Sequence, residues 1–196
     1  MQTNLEIEYK TLLSLSEFDQ LGKRFSHVAP VRQTNHYFDT PDLKLRANKL
    51  SLRIRTFDDA AEMTLKIPQK VGNLEHNIAL TSEEANAILA TKILPQNCIN
   101  IQNILELLKG YAIDLSAVRV LGSLTTTRRE YETSIGLMAL DKNEYSGRLD
   151  YELELEVADA RSGEKNFNYF LKDNQIEYRY ARSKVVRFLE SIGKMP

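Results

Sequence analysis

The chain has 196 residues, 42% hydrophobic and 27% charged, with a formal net charge of −1. That length accommodates one sizeable domain, and near-neutrality excludes a global attraction to nucleic acid or to an anionic membrane. A single cysteine, Cys98, excludes an internal disulfide and any multi-cysteine zinc site.

The first residues, MQTNLEIEYK, lack the basic-then-apolar layout of a secretory signal. No apolar run approaches the ~18 residues of a membrane span. A soluble, cytoplasmic protein with no membrane partner is expected.

In chain order, alternation with period 2 predicts a strand over 3–13. A helix follows over 16–26, opened by Ser16 with Asp19 three residues on. Four more strands, 31–39, 49–57, 61–69 and 73–80, are separated by the turn residues Thr40-Pro41-Asp42, Asp58-Asp59 and Val71-Gly72-Asn73. Ser82 to Gly110 reads as two short helices broken near Pro95 and closed by Gly110. Strands at 117–133, 136–142 and 149–158 complete a set of eight, and helices at 162–173 and 183–192 end the chain. Strands in hairpin-linked runs predict an α+β fold, an antiparallel sheet or barrel with helices outside it.

Residues of equal parity share a strand face. Glu6, Glu8 and Lys10 stand opposite Leu5, Ile7 and Tyr9; Ser51, Arg53 and Arg55 oppose Leu50, Leu52 and Ile54. Glu62, Thr64 and Lys66 oppose Met63, Leu65 and Ile67, and Glu152, Glu154 and Glu156 oppose Leu153, Leu155 and Val157. Any one of these strands fits an amphipathic sheet with its charged face in water. Together they segregate carboxylate strands from guanidinium strands. Two carboxylates ~5 Å apart repel by about 3 kcal/mol at an effective dielectric near 20, and a merely solvated face gains by interspersing lysines. Oxygen-only clusters suit hard cations such as Mg²⁺ or Mn²⁺, and arginine forks match phosphate. A polar interior with acidic and basic walls would hold a metal–polyphosphate complex.

Glu6-Ile7-Glu8-Tyr9-Lys10 resembles the N-terminal Glu-x-Glu-x-Lys signature of the CYTH family, the triphosphate tunnel metalloenzymes. The resemblance continues through Tyr37-Phe38-Asp39-Thr40, Leu52-Arg53-Ile54-Arg55, Thr64-Leu65-Lys66, Thr127-Arg128-Arg129-Glu130, Asp141, the Glu152–Glu156 run and Ser183-Lys184. It implies one CYTH domain over 1–196, folded as an eight-stranded antiparallel β-barrel, the triphosphate tunnel, with flanking helices. It further implies Glu6 and Glu8 as metal ligands joined by two of Glu152, Glu154 and Glu156, with Glu154 and Glu156 favoured, and Asp141 as a further ligand or water holder. Lys10, Arg53, Arg55, Lys66, Arg128 and Lys184 would contact phosphate. Of the neighbours Arg128 and Arg129, only one can face inward. Asn73 precedes Leu74-Glu75 where many members carry an arginine, and no tryptophan is present to stack a base.

No P-loop and no Gly-x-Ser-x-Gly elbow occurs, and His27, His36 and His76 lack ligand spacing. The basic stretch Arg179, Arg182, Lys184 and Arg187 is read as part of a closing helix, not as a nucleic-acid patch. The expected activity is Mg²⁺- or Mn²⁺-dependent hydrolysis of a small molecule bearing a triphosphate, inorganic tripolyphosphate first. Adenylate cyclisation at the same site, or binding without turnover, are the alternatives.

Overall fold

The structure, a computed structural model, describes residues 1–195. Its strands are β1 (Gln2–Glu6), β2 (Glu8–Leu13), β3 (Val31–Asp39), β4 (Ser51–Thr56), β5 (Ala61–Pro68), β6 (Asn73–Leu80), β7 (Arg119–Thr133), β8 (Gly136–Tyr145) and β9 (Arg148–Glu156). The helices are α1 (Leu15–Arg24), α2 (Lys44–Ala47), α3 (Ser82–Thr91), α4 (Gln102–Lys109), α5 (Ala160–Asp173) and α6 (Lys184–Ser191). The strands form one sheet in the order β1-β6-β5-β4-β3-β7-β8-β9-β2. The pairs β2–β9, β3–β4, β4–β5, β5–β6, β7–β8 and β8–β9 are all antiparallel, and the fold is an antiparallel sheet with flanking helices.

Among the described residues nine strands stand where eight were expected. The predicted strand 3–13 divides at Ile7 into β1 and β2, which lie at the two ends of the strand order. Alternation alone cannot reveal that break, because parity runs through it unchanged. Two further boundaries move for local reasons. Helix α1 is capped by Ser14, not Ser16: the Ser14 hydroxyl accepts from the Glu17 N–H, and the Glu17 carboxylate accepts from the Ser14 N–H. Strand β8 runs on to Tyr145, beyond the expected 142, because Ser146 and Gly147 both take positive φ (46° and 74°) in a two-residue hairpin. Primed turns of this kind match strand twist and keep pairing intact to the last residues, here Tyr145 opposite Arg148.

Two compact units divide the chain. The first comprises 1–5 and 34–123, the second 6–33 and 124–196. In the first unit the apolar side of the sheet, with Leu52, Ile54, Met63, Leu65 and Ile78, packs on Ile88 of α3 and Ile104, Leu105 and Leu108 of α4. In the second, Met138, Leu140, Leu153 and Leu155 pack with Leu21 of α1 and Phe167 and Leu171 of α5. Helix α5 comes close to the sheet at Gly163, where an added Cβ would meet Val157 Cγ2 at 2.5 Å. Burial of these side chains, at about 25 cal/mol per Å² of apolar surface, supplies the main driving force for each unit. In each unit the apolar side of the sheet is therefore under helices, and the charged side faces away from them.

Candidate active site

In the second unit, strand register builds the site. Residues directly opposite on paired strands share a face. One row across the sheet runs Arg128 (β7), Asp141 (β8), Glu152 (β9), Leu12 (β2). The next runs Glu130, Ala139, Glu154, Lys10, and a third sets Glu156 opposite Glu8. Small Ala139 leaves room between charged neighbours. Helix α6 adds Lys184 and Arg187 from outside the sheet.

Asp141 and Glu152 are fully buried and Glu154 is 9% exposed. One oxygen of each lies within 4.8 Å of the others. Lys184 Nζ sits among all three, 2.9 Å from Asp141, 2.7 Å from Glu152 and 2.6 Å from Glu154. The Arg128 fork grips Asp141 through Nε at 2.8 Å and Nη2 at 2.7 Å, and also donates to Glu154 and, at 3.0 Å, to Glu130. Arg187 Nη2 donates to Glu152 Oε2 at 2.7 Å, and Lys10 donates to Glu8. Acids and bases on this face are thus interleaved, and three buried atoms remain without a hydrogen-bond partner: the acceptor Glu152 Oε1 and the donors Arg187 Nε and Nη1.

Burial works to raise the carboxyls of Asp141 and Glu154, but Arg128 and Lys184 hold Asp141 below the usual carboxylate range. Lys184, Arg128 and Lys10 drive Glu154 well below it. At Glu152 burial wins over Lys184, and its carboxyl is pushed up. Burial would lower Lys184, yet the three carboxylates hold it well above the lysine range. The same balance raises Lys10, chiefly through Glu8.

The parity question at Arg128 and Arg129 has a clear answer. Arg128 shares the carboxylate face, whereas Arg129 turns to the other side and donates to the Val28 carbonyl. The three-carboxylate group takes in Asp141, Glu152 and Glu154; Glu6, Glu8 and Glu156 lie outside it. On the sequence the expected late pair is Glu154 and Glu156. The register sets Glu152 beside Asp141, Glu154 one row on and Glu156 two rows on, opposite Leu137.

Arg187 is the residue that the sequence reading passed over. It lies three positions after Lys184, one turn along the same helix face, and that spacing was the available signal. Behind it Asp150 accepts from Tyr145 Oη at 2.6 Å and from Asn143 at 3.0 Å, completing a support for Glu152. The other basic residues of this stretch are also paired: Arg179 with Glu17 and Glu177, Arg182 with Glu190.

The first unit carries the remaining predicted residues. Arg53 and Arg55 share a face of β4, opposite Thr64 and Glu62 of β5. Arg55 Nε donates to Asn35 at 3.1 Å, while Arg53 Nε is buried without a partner. Lys66 pairs with Glu75 at 2.7 Å, and Glu75 also accepts from Asn4 and Asn77 at 3.4 and 3.3 Å. The Glu75 position, open in sequence, is thus an ion-pair partner within its own unit. Asp39 is a structural cap: its carboxylate accepts from the N–H groups of Thr40, Leu45 and Arg46 and so fixes α2.

The second unit thus carries a buried face that joins three carboxylates to arginine and lysine, with an acceptor left over. The CYTH domain model matches residues 4–189, and the chain belongs to the CYTH family. It is 35% identical over 196 residues to a Bacillus subtilis protein named "Putative triphosphatase YjbK", with 99% of each chain covered. A solved structure of a putative adenylate cyclase from Bacillus halodurans is 32% identical with a TM-score of 0.86, covering 96% of this chain and 99% of that one. HpAC1 from Hippeastrum, described as a putative adenylyl cyclase with a dominant triphosphatase activity, is 24% identical with a TM-score of 0.79 over 98% of each chain. At that identity the likeness bears on the fold alone. No helix among the described residues is long and apolar enough to cross a membrane.

Proposed function

We propose that the protein is a metal-dependent phosphohydrolase acting on inorganic tripolyphosphate or a related triphosphate, and that it works as a single domain over 1–196. The observation that carries this reading is the buried Asp141–Glu152–Glu154 group, ringed by Lys10, Arg128, Lys184 and Arg187, with Glu152 Oε1 unsatisfied. An orphaned buried carboxylate oxygen is costly, on the order of 1–3 kcal/mol or more for a charged group. It fits a site whose last partner is a bound cation. The donor set is oxygen only, which suits Mg²⁺ or Mn²⁺.

Asp141, Glu152 and Glu154 would hold the cation, with Glu6, Glu8 and Glu156 as further proposed ligands from the family resemblance. Bound there, it would neutralise phosphate charge and lower the pKa of a water ligand. Arg128 is held by Asp141 through two parallel N–H groups, so its guanidinium charge faces an arriving phosphate without first being ordered. Lys10 and Lys184 supply point charges. Arg53, Arg55 and Lys66 are retained as phosphate contacts on the strength of the resemblance. Charge that develops on phosphate oxygens in the in-line transition state is stabilised by such preorganised donors. No side chain needs to serve as a covalent nucleophile.

A screen of phosphate release from tripolyphosphate, nucleoside triphosphates and thiamine triphosphate, with Mg²⁺ or Mn²⁺, tests the reading. Phosphate release from tripolyphosphate that stops in excess chelator is expected. Cyclic AMP formed from ATP as the dominant product, with tripolyphosphate untouched, would favour cyclisation, the activity attached to the name of the Bacillus halodurans relative.

A further inference from the structure

We propose that Lys184 is a displaceable counter-ion: its ammonium occupies the place of the divalent cation, and metal binding releases it to the triphosphate. This rests on the metal–triphosphate reading above and adds an order of events to it.

Four observations point the same way. Lys184 Nζ contacts one oxygen from each of the three carboxylates at 2.6–2.9 Å, so it stands where a cation shared by all three must stand. An ammonium has only three protons, and Lys184 is shared among three carboxylates with a hydrogen bond to Glu154. Glu152 Oε1 is left unsatisfied; a lysine fills this site electrically but not fully in hydrogen bonding. Next, Lys184 is the first residue of α6, directly after the N-cap Ser183. The positive end of a helix dipole disfavours a cation there, so the carboxylates and not the helix hold Lys184 in place.

The fourth observation is the contrast with its neighbours. Arg128 grips Asp141 with two parallel bonds of 2.8 and 2.7 Å, and Arg187 is tied to Glu152 and, at 3.5 Å, to Asp150. Both are planar forks in set geometry. Lys184 is a compact charge on a flexible stem, the member of the group that can leave at least cost. Charge balance requires that something leave. The three carboxylates are already matched by Arg128, Lys184 and Arg187, and a dication added to that set would strand positive charge in a buried place. With Lys184 turned away, its ammonium becomes available to the anion that arrives with the metal.

The test is Mn²⁺ alone, titrated by calorimetry into wild type, Lys184→Met and Lys184→Arg, with free Mn²⁺ read by electron paramagnetic resonance. Lys184→Met should bind Mn²⁺ more tightly than wild type by roughly 5- to 150-fold, the ordinary range for coupling between two groups, while its tripolyphosphate affinity falls. Lys184→Arg keeps a cation in place and should gain nothing in Mn²⁺ affinity. Equal or weaker Mn²⁺ binding by Lys184→Met overturns the proposal. A second measurement needs no variant. In wild type labelled with ¹⁵N-lysine, Mg²⁺ without phosphate should shift the Lys184 ammonium signal and leave that of Lys66 in place; an unmoved Lys184 signal at saturating Mg²⁺ overturns displacement. If no protein binds Mn²⁺ even with saturating tripolyphosphate, the metal–triphosphate reading fails and this inference with it. If wild type and Lys184→Met bind Mn²⁺ equally, only the displacement fails.

Discussion

Each unit of the molecule sets a lysine against acids on the charged face of its sheet, and the two arrangements differ in what they leave over. In the first unit Lys66 pairs with Glu75, and Asn4 and Asn77 supply further donors to it. Both oxygens of that carboxylate are partnered. In the second unit Lys184 is divided among three carboxylates, two arginines crowd the same oxygens, and Glu152 Oε1 is still unpartnered. Buried ion pairs approach neutral cost only when every lone pair is satisfied. In the first arrangement both Glu75 oxygens meet that condition, although Asn77 Oδ1 beside them is buried without a partner; the second leaves a carboxylate oxygen over, and on the proposed reading that is where a cation would lower the free energy.

The largest effect should come from breaking the incomplete cluster. Glu152→Gln and Asp141→Asn keep shape and remove charge. Each is expected to cut metal-dependent phosphate release by about a hundredfold, equivalent to ~2.7 kcal/mol of transition-state stabilisation. Glu75→Gln, in the Lys66 pair, should leave turnover within about threefold. Phosphate release measured on all three variants checks the contrast, and equal losses would erase it. A smaller effect is expected at Arg53, whose Nε is the unpartnered atom of the first unit's basic strand. Arg53→Ala should weaken tripolyphosphate binding by about 1.5–3 kcal/mol, the usual value for hydrogen bonds to charged groups. Calorimetry with wild-type affinity would remove Arg53 from the phosphate contacts.

Much of this was legible because sheets have period 2. In Tyr151-Glu152-Leu153-Glu154-Leu155-Glu156, parity alone separates the acids from the core, and the structure puts Leu153 and Leu155 among helices and Glu152 and Glu154 with Asp141. Parity also limited Arg128 and Arg129 to one inward residue without saying which. What parity cannot give is register between strands. The choice among Glu152, Glu154 and Glu156 depends on which of them meets Asp141 across β8, and that follows from the Ser146-Gly147 turn. The break at Ile7 was hidden for the same reason, since a change of pairing partner leaves the alternation intact. Arg187 was hidden by its setting in a basic stretch, where helical spacing from Lys184 was the informative feature.

Acid sharpens the comparison. Burial would raise the Glu75 carboxyl, but Lys66, Arg53 and Asn77 outweigh it and push it down from the usual 4.5 to about 2. A depressed folded-state pKa gives stability that is fully present above pH ~4.5 and lost as pH falls towards 2. Glu75→Gln should therefore cost about 1–3 kcal/mol at pH 7, and the difference from wild type should shrink through that window. Urea unfolding at a series of pH values reads this directly. A penalty independent of pH would mean that the Glu75 charge is not what stabilises the pair.

The smallest effects lie at the helix starts, where the two units carry the same device. Ser14 with Glu17 opens α1 in the second unit, and Thr81 with Glu84 opens α3 in the first. Both are reciprocal capping boxes, so Ser14→Ala and Thr81→Ala should each cost about 1 kcal/mol. Ser16→Ala should stay within about 0.5 kcal/mol, as surface changes usually do, because Ser16 lies inside α1 and Ser14 is the cap. The acids of the two boxes should then part company. Glu17 also accepts from Arg179 Nη1 at 2.7 Å, a link spanning 162 positions of chain. Burial works against its ionisation, yet the Arg179 and Ser14 hydrogen bonds bring its carboxyl down to about 2. Glu84 takes an amide hydrogen bond from Asn100 in place of an ion pair. Removing charge at Glu17 loses a tie between α1 and the segment before α6, whereas at Glu84 it loses a local contact. Glu17→Gln is therefore expected to destabilise more than Glu84→Gln, by a few tenths of a kcal/mol for a pair this exposed, and added salt should narrow the gap. Thermal unfolding of the two variants at low and high salt checks the order; equal shifts would show that the Arg179 link adds nothing beyond the cap.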